Sequence, residues 1–416
     1  MEEGVNRGAM ESLFAKGLAD LQRLVKLSEA DLALLREVDE AADELLLPEF
    51  EHYVERRYNE QIPAILRNHN LLGLPLAARY GGRGADALVY ALAMERLGQL
   101  GMGVVTFVDV QCSLGGLTLQ QWGTEEQKQR YLLPAARGEK LLAYALTEPE
   151  AGSDPMALQS GFEEQREGYV LNGTKYLISN GSVADVLIVF AYPHGQRDGL
   201  CAFLVERGTP GFTVEMKFTE KVGLFTSDTA LLEFRDCQVP PENLLGPKGK
   251  GAHVAYSALA NGRIGIAAGC IGVIEDCLNV ATERARQRVQ HGKPLAKHQM
   301  VQRHIAQIAM DWEAARWPTY LAALKKRELD ASPQDHELRA QVDLQSALAK
   351  RIASERAWDA ADRAVQIFGG FGYSILSNAG RHYCDTRVAR IYEGTDEIME
   401  LKIAASILGP EFEAYR

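Results

Sequence analysis

The texture of the chain changes twice, and that alternation limits the possible folds more than any other feature. From residue 1 to about 140, apolar residues recur at helical spacing, as in LADLQRLVKLSEADLALLREVDEAADELL and DALVYALAMERLGQL. In GTEEQKQRYLLP, Thr124 predicts a short capped helix stopped by Pro134. From about 141 to 250, β-branched and aromatic runs alternate with turn residues: YVLNGTKYLIS, DVLIVFAYP, LCAFLVE, GFTVEMKF and TALLEFRDCQVP. Asn172-Gly173, between two such runs, predicts a hairpin turn. Beyond Pro240-Pro241 the helical period returns. Ile264, Ala267, Ile271, Ile274, Leu278, Ala281 and Ala285 step by 3 and 4, which puts them on one helix face. Further helices are expected over 299–329 and 336–368. The reading is a mostly α, α+β protein: an N-terminal helical domain (1–140), a middle β domain (141–250) and a C-terminal helical bundle (251–416).

Composition narrows the function. A net charge of -11 repels a phosphate backbone, and no basic stripe with interleaved aromatics is present, so nucleic acid is not the expected partner. The longest unbroken apolar runs, such as VLIVFAY at 186–192, fall short of the ~18–20 residues of a membrane span. The six cysteines form no CxxC pair, and Cys270 and Cys277 are too far apart on one helix to bridge, so a reducing compartment is expected. The start, MEEGVNRGAMESLF, carries early acids and no export or transit pattern; a cytoplasmic location is expected, with a processed form in the mitochondrial matrix as the alternative.

The glycine clusters GGRGADA (81–87) and GPKGKG (246–251) read as turns, since neither sits in a βαβ unit. HExxH and GxSxG are absent, and no metal site is expected. In YALTEPEAGSDPMAL, Thr147, Ser153 and the N–H groups near Ala151-Gly152 suit either a polar planar ligand or phosphate, or an Asx/ST-turn loop. Ser179 in KYLISNG poses the same choice. In RIYEGTDEIMEL, Thr395 predicts a helix cap, with Asp396 and Glu397 at the positive end of the helix dipole.

Six motifs in order, ALTEPEAGSDPMA, ISNGSVAD, GRIGIAAG, HGKPLAKHQ, AVQIFGGFGY and RIYEGTDEI, resemble those of the flavin-dependent acyl-CoA dehydrogenases, from roughly residue 40 to the end. The resemblance implies a β-barrel-like middle domain, a C-terminal four-helix bundle and a homotetramer with FAD between domains and subunits. Glu393 matches the catalytic base, which takes the α-proton of an acyl-CoA thioester while its backbone N–H and a ribityl hydroxyl hold the carbonyl oxygen. The β-hydride passes to flavin N5 and a trans-2-enoyl-CoA forms. Electrons then go to an electron-transferring flavoprotein. Burial is expected to raise the base's pKa.

By the same likeness, Tyr144, Leu146, Thr147, Leu177, Ile178 and Ser179 border the isoalloxazine, and Ser153 touches both cofactor and CoA. Arg288, His291, His298, Gln299, Gln366, Gly369, Gly370, Gly394, Thr395 and Glu397 match positions that hold the rest of FAD, several across a subunit boundary. Asn261, Arg263, Tyr392 and Gly394 match the substrate side; for Arg263 an ordinary buried ion pair is the alternative. Departures from the family pattern fall at Leu177, Phe225, His291, Cys384 and Glu400 and suggest a divergent subgroup. Val105 stands where relatives acting on glutaryl-CoA carry an arginine, and Gly262 stands where some branched-chain members carry the base. Rival readings are an acyl-CoA oxidase that uses oxygen and a non-catalytic acyl-CoA-binding relative.

Overall fold

The computed structural model describes residues 27–414. The start of the chain and the LADLQRLV part of the first predicted helix lie outside the described residues. Helix α1 (Glu29–Val54) begins at a Ser28 capping box: Ser28 Oγ accepts from Asp31 N at 3.2 Å, and the Asp31 carboxylate accepts from Ser28 N at 2.9 Å. Helices α2 (Gln61–Asn68) and α3 (Ala87–Gly98, capped by Asp86) follow. Next comes α4 (Met102–Trp122), whose middle, Asp109–Leu117, is wound as a π-helix.

The helical stretch 125–136, α5, is not stopped by Pro134. A π-type segment, Lys128–Leu132, widens it, and Pro134 falls within the last helical turn, Leu133–Ala136, so the helix ends two residues beyond it. Thr124 caps it, with Gln127 completing the capping box.

Eight strands make one sheet: β1 (Leu142–Ala145), β2 (Gly161–Gln165), β3 (Gly168–Ser179), β4 (Val186–Pro193), β5 (Cys201–Glu206), β6 (Phe212–Lys217), β7 (Thr229–Val239) and β8 (Leu244–Leu245). The order is β6-β7-β3-β2-β4-β5-β8, with β1 parallel to β4. Asn172-Gly173 does not form the hairpin turn. The turn between β2 and β3 lies at residues 166–167, and Gly173 sits mid-strand at a register shift, where an added Cβ would collide with Ser160. The glycine serves close backbone approach rather than chain reversal. Strands β1 and β2 pair with different stretches of β4, residues 186–189 and 192–193, so the TEPEAGSD loop between them leaves the sheet at that point.

The C-terminal helices are α6 (Gly251–Gln287), α7 (Gln299–Ala331), α8 (His336–Phe368), α9 (Asn378–Ala389) and α10 (Asp396–Leu408). The sequence pattern gives α6 one apolar face, yet every residue from Gly262 to Leu278 is buried. Glycines explain it: a Cβ at Gly98 or Gly272 would run into the facing backbone of Gly269 or Glu95, so α3 and α6 pack backbone to backbone. One core then spans the N-terminal helices and the bundle. By length and composition α4 and α6 are apolar enough to cross a membrane, which short apolar runs did not reveal; 94% and 89% of those windows are buried inside the fold. All six cysteines are free.

Candidate active site

Between α9 and α10 the chain passes through two successive positive φ angles, 55° at Glu393 and 91° at Gly394. A Cβ at Gly394 would lie 2.5 Å from Met399 Cε, so glycine fits by contact as well as by angle. Glu393 has a side chain, and its left-handed backbone costs of order 1–3 kcal/mol. Thr395 caps α10 as the sequence predicts, its Oγ1 accepting from Ile398 N at 3.2 Å. The turn aims Glu393 at α6. There, an added Cβ on Gly262 would sit 2.6 Å from Oε2 and 2.8 Å from Cδ, so the missing side chain is the space the carboxylate occupies. Although the residue as a whole is part-exposed, Oε2 is buried and has no hydrogen-bond partner among the described residues. Burial pushes this carboxyl up to about 7, against the pull of the Arg263 and Lys350 cations.

Asp109, in the π segment of α4, packs on Gly265, three residues or roughly 4.5 Å further along α6. Tyr90 Oη donates to Asp109 Oδ1 at 3.2 Å. Burial first, and then the Glu393 charge, raise the Asp109 carboxyl well above the usual range. Sequence reasoning missed this residue; its signal is a lone acid inside the apolar run GMGVVTFVDVQCSLGG. Arg263 Nε donates to the Glu393 carbonyl at 3.3 Å, and the Tyr392 and Thr106 hydroxyls meet at 3.4 Å. Tyr144 Oη donates to Ala255 O on α6 at 3.2 Å. The structure therefore gathers Tyr144, Arg263, Tyr392 and Gly394 around Glu393, with Asn261 the neighbour of Gly262 on α6.

A second wall comes from the sheet. Tyr176 N donates to Thr147 O at 2.9 Å, and Lys175 Nζ donates to Leu146 O at 3.1 Å and Glu148 Oε1 at 2.7 Å. The Glu148 carboxylate also accepts from Gln159 N at 2.6 Å and Ser160 N at 3.1 Å. One buried ion pair thus ties both ends of the TEPEAGSD loop to β3. The register shift between Lys175 and Ile178 turns Leu177 outward, left-handed (φ 56°) and 50% exposed. The Ile178 side chain points the other way, into the sheet core, which leaves its backbone to face any ligand. Ser179 is half-buried, and Ser153 is exposed on the loop.

The remaining predicted residues form a separate cluster at the far end of α6. A cavity of about 460 Å³ is lined by Arg284, Arg288, Gln290, Phe368, Gly369 and Gly370, among others. Arg284 Nε is buried there with no hydrogen-bond partner among the described residues, another residue that sequence reasoning missed. His291 and His298 stand close by, rings 6.3 Å apart, and Gln299 and Gln366 are exposed at the adjoining ends of α7 and α8. Arg263 and Arg284 lie twenty-one residues apart on one helix, roughly 32 Å. Thr395 and Glu397 stay with the Glu393 turn; Thr395 caps the helix, and Glu397 is exposed. Of the departures, Phe225 packs on Tyr53 (5.0 Å), Glu400 pairs with Arg351 (2.7 Å) and Cys384 is half-buried.

Three family models match nearly end to end: the acyl-CoA dehydrogenase N-terminal domain over 28–139, the middle domain over 143–237 and the C-terminal domain over 249–408. The chain belongs to the acyl-CoA dehydrogenase family. The short-chain specific acyl-CoA dehydrogenase of Megasphaera elsdenii is 40% identical over 84% of this chain and 90% of its own length. A chain solved in work on the electron transferring flavoprotein of Acidaminococcus fermentans superimposes with a TM-score of 0.86 at 35% identity, covering 92% of this chain and 98% of that one. A glutaryl-CoA dehydrogenase from Mycobacterium smegmatis in complex with FADH2 gives 0.85 at 28% identity, covering 96% and 98%.

The protein is accordingly an oxidoreductase acting on acyl-CoA, with FAD as cofactor. Its residues fit that cofactor. The unpartnered Arg284 Nε faces a cavity of suitable polarity for phosphate, and its wall is opened by Gly369 and Gly370, where an added Cβ would meet nothing within 4 Å.

Proposed function

We propose that this acyl-CoA dehydrogenase forms a trans-2-enoyl-CoA, with Glu393 as the base that removes the α-proton. The observation that carries the reading is the buried, unpartnered Glu393 Oε2, on a carboxyl whose burial places it near neutrality. At that value the group is substantially ionised at neutral pH yet basic enough to accept a carbon-bound proton. Arg263, on the Glu393 carbonyl, holds the residue whose own backbone N–H would receive the thioester oxygen as it gains charge. The Tyr392 and Thr106 hydroxyls are turned to each other and the Tyr144 hydroxyl to Ala255, which leaves the Glu393 Oε2 position free to meet substrate. FAD, when bound, supplies the hydride acceptor for the β-carbon, held by Leu146, Thr147, Leu177, Ile178 and Ser179 on one side and by Arg284, Arg288, His291, His298, Gln299, Gln366, Gly369 and Gly370 on the other.

Within one chain the Glu393 end of α6 and the phosphate-side cavity lie about twenty-one residues, roughly 32 Å, apart, farther than the ring of one dinucleotide stands from its pyrophosphate. The complete site then takes one wall from each of two subunits, which supports the homotetramer. Exposed apolar side chains near the phosphate end, Val289, Met300, Phe371, Tyr373 and Leu376, support the same assembly. An electron-transferring flavoprotein is the proposed acceptor, supported by the likeness to the chain from the Acidaminococcus work. Short acyl groups are the proposed substrates, from the specificity of the Megasphaera relative. The free cysteines support the cytoplasm.

The test is a panel of acyl-CoA thioesters scored for anaerobic bleaching of bound flavin, followed by timed admission of air. Bleaching by short chains with slow reoxidation is expected. Prompt reoxidation with peroxide release makes the protein an oxidase, and a colourless protein that cannot be reconstituted makes it a binder.

A further inference from the structure

The Glu393 turn is held from beneath by charged side chains that proton transfer does not itself use. Lys350, fully buried on α8, donates to the Gly394 carbonyl at 2.7 Å and to Asp396 Oδ1 at 3.1 Å. Asp396, 2% exposed at the start of α10, also accepts from Ser354 Oγ at 2.8 Å and from Arg390 Nε at 2.8 Å. Its own N–H donates to Arg390 O at 3.1 Å, which closes the turn on itself. Arg351 stands 3.8 Å away on the outer side.

We propose that Lys350 and Asp396 are positioning residues for Glu393: the ammonium, anchored on Asp396, draws the Gly394 carbonyl toward α8 and so fixes the Gly394–Thr395 peptide, which closes the left-handed path through Glu393 and Gly394. That path points the carboxylate at Gly262. The proposal rests on the reading of Glu393 as the base.

Folding alone does not account for the arrangement. Asp396 keeps Arg390 and Ser354 without Lys350, so burying an ammonium to reach a carbonyl two residues upstream adds desolvation cost without completing the Asp396 site. What the ammonium adds is control of a peptide that would otherwise relax from an unfavourable φ.

The experiment uses FAD-loaded Lys350→Met, which deletes the bond to Gly394 and leaves Asp396 partnered. The kcat is expected to fall by about 10- to 100-fold, the cost of a misplaced base, with KM for acyl-CoA nearly unchanged and FAD retained. The acid limb of kcat supplies a second readout. Glu393 is faced by Arg263 on α6, Lys350 on α8, Asp109 on α4, Tyr90 on α3, Tyr144 on β1 and the adjoining Tyr392. Removing the Lys350 cation leaves the Asp109 carboxyl opposed by Arg263 alone, so the limb moves to higher pH; a purely structural lesion lowers Tm and leaves the limb in place.

If Lys350→Met folds poorly, Lys350→Met with Asp396→Asn removes both charges, and recovery of Tm with kcat still low supports positioning. Wild-type kcat and an unmoved limb in a folded Lys350→Met overturn it. Glu393→Gln separates the two readings: if that variant is inert while Lys350→Met is fully active, the clamp is wrong and the base assignment survives; if Glu393→Gln is itself active, the base assignment is wrong.

Discussion

Gly262→Ala separates activity from stability at one position. The new Cβ would lie 2.6 Å from Glu393 Oε2, whereas ordinary contact begins at 3.4 Å, so the carboxylate must retreat by the difference, 3.4 - 2.6 = 0.8 Å. It can move, being the free end of a side chain, and the backbone of α6 has no reason to shift. A displacement of that size at a proton-transfer centre lowers kcat by up to about 100-fold, or about 2.7 kcal/mol of barrier. Stability changes the other way: alanine replaces glycine inside a 37-residue helix, a gain of about 0.5–1 kcal/mol. Steady-state turnover of an acyl-CoA with a dye acceptor, thermal unfolding and FAD content together read the outcome. A kcat reduced at least tenfold, with Tm equal or higher and FAD retained, is expected. Wild-type kcat in a variant whose structure shows the Cβ in place refutes the idea that Gly262 makes room for the working position of the base.

Three further outcomes follow from buried charge and from the phosphate-side cavity. Burial and the neighbouring Glu275 push Glu95 up to about 8, far above its unfolded value of about 4.3; its contribution is complete below that lower value and is lost as pH rises to about 8. Glu95→Gln, which keeps an acceptor for the Tyr320 hydroxyl, should equal wild type at about pH 4 and below, gain on it as pH rises, and exceed it in Tm most above pH 8. Lys175→Met strands the buried Glu148 carboxylate and should cost about 3–5 kcal/mol in urea unfolding, partly recovered by adding Glu148→Gln; no loss in the single variant contradicts the pair's structural role. Arg284→Gln should weaken FAD binding about 10- to 100-fold in a fluorescence titration, as expected for a charge-assisted hydrogen bond; unchanged affinity removes Arg284 from the site.

The large elements were legible because their signals are local. The 3 and 4 steps along α6, the Thr395 cap and each run of the β-rich middle are patterns between near neighbours in sequence. Gly173 misled because Asn-Gly marks turns and close approaches alike, and only Ser160, brought alongside from the residue just before β2, decides between them. Pro134 misled because a π segment upstream changes what a proline costs. Glu393 came from the resemblance rather than from residue chemistry, which allowed an ordinary capped turn. Asp109, Arg284 and the Glu148–Lys175 pair stayed hidden because their importance depends on partners far away in sequence. Gly262 was seen as a position unable to act as a base, but its role as the space for one exists only once α6 faces the turn.

The most direct measurement is the rate of anaerobic flavin bleaching by a short-chain acyl-CoA in wild type and Glu393→Gln, each loaded with FAD. The account predicts a yellow variant that binds the thioester and bleaches orders of magnitude more slowly. Bleaching at the wild-type rate would contradict it and place the base elsewhere.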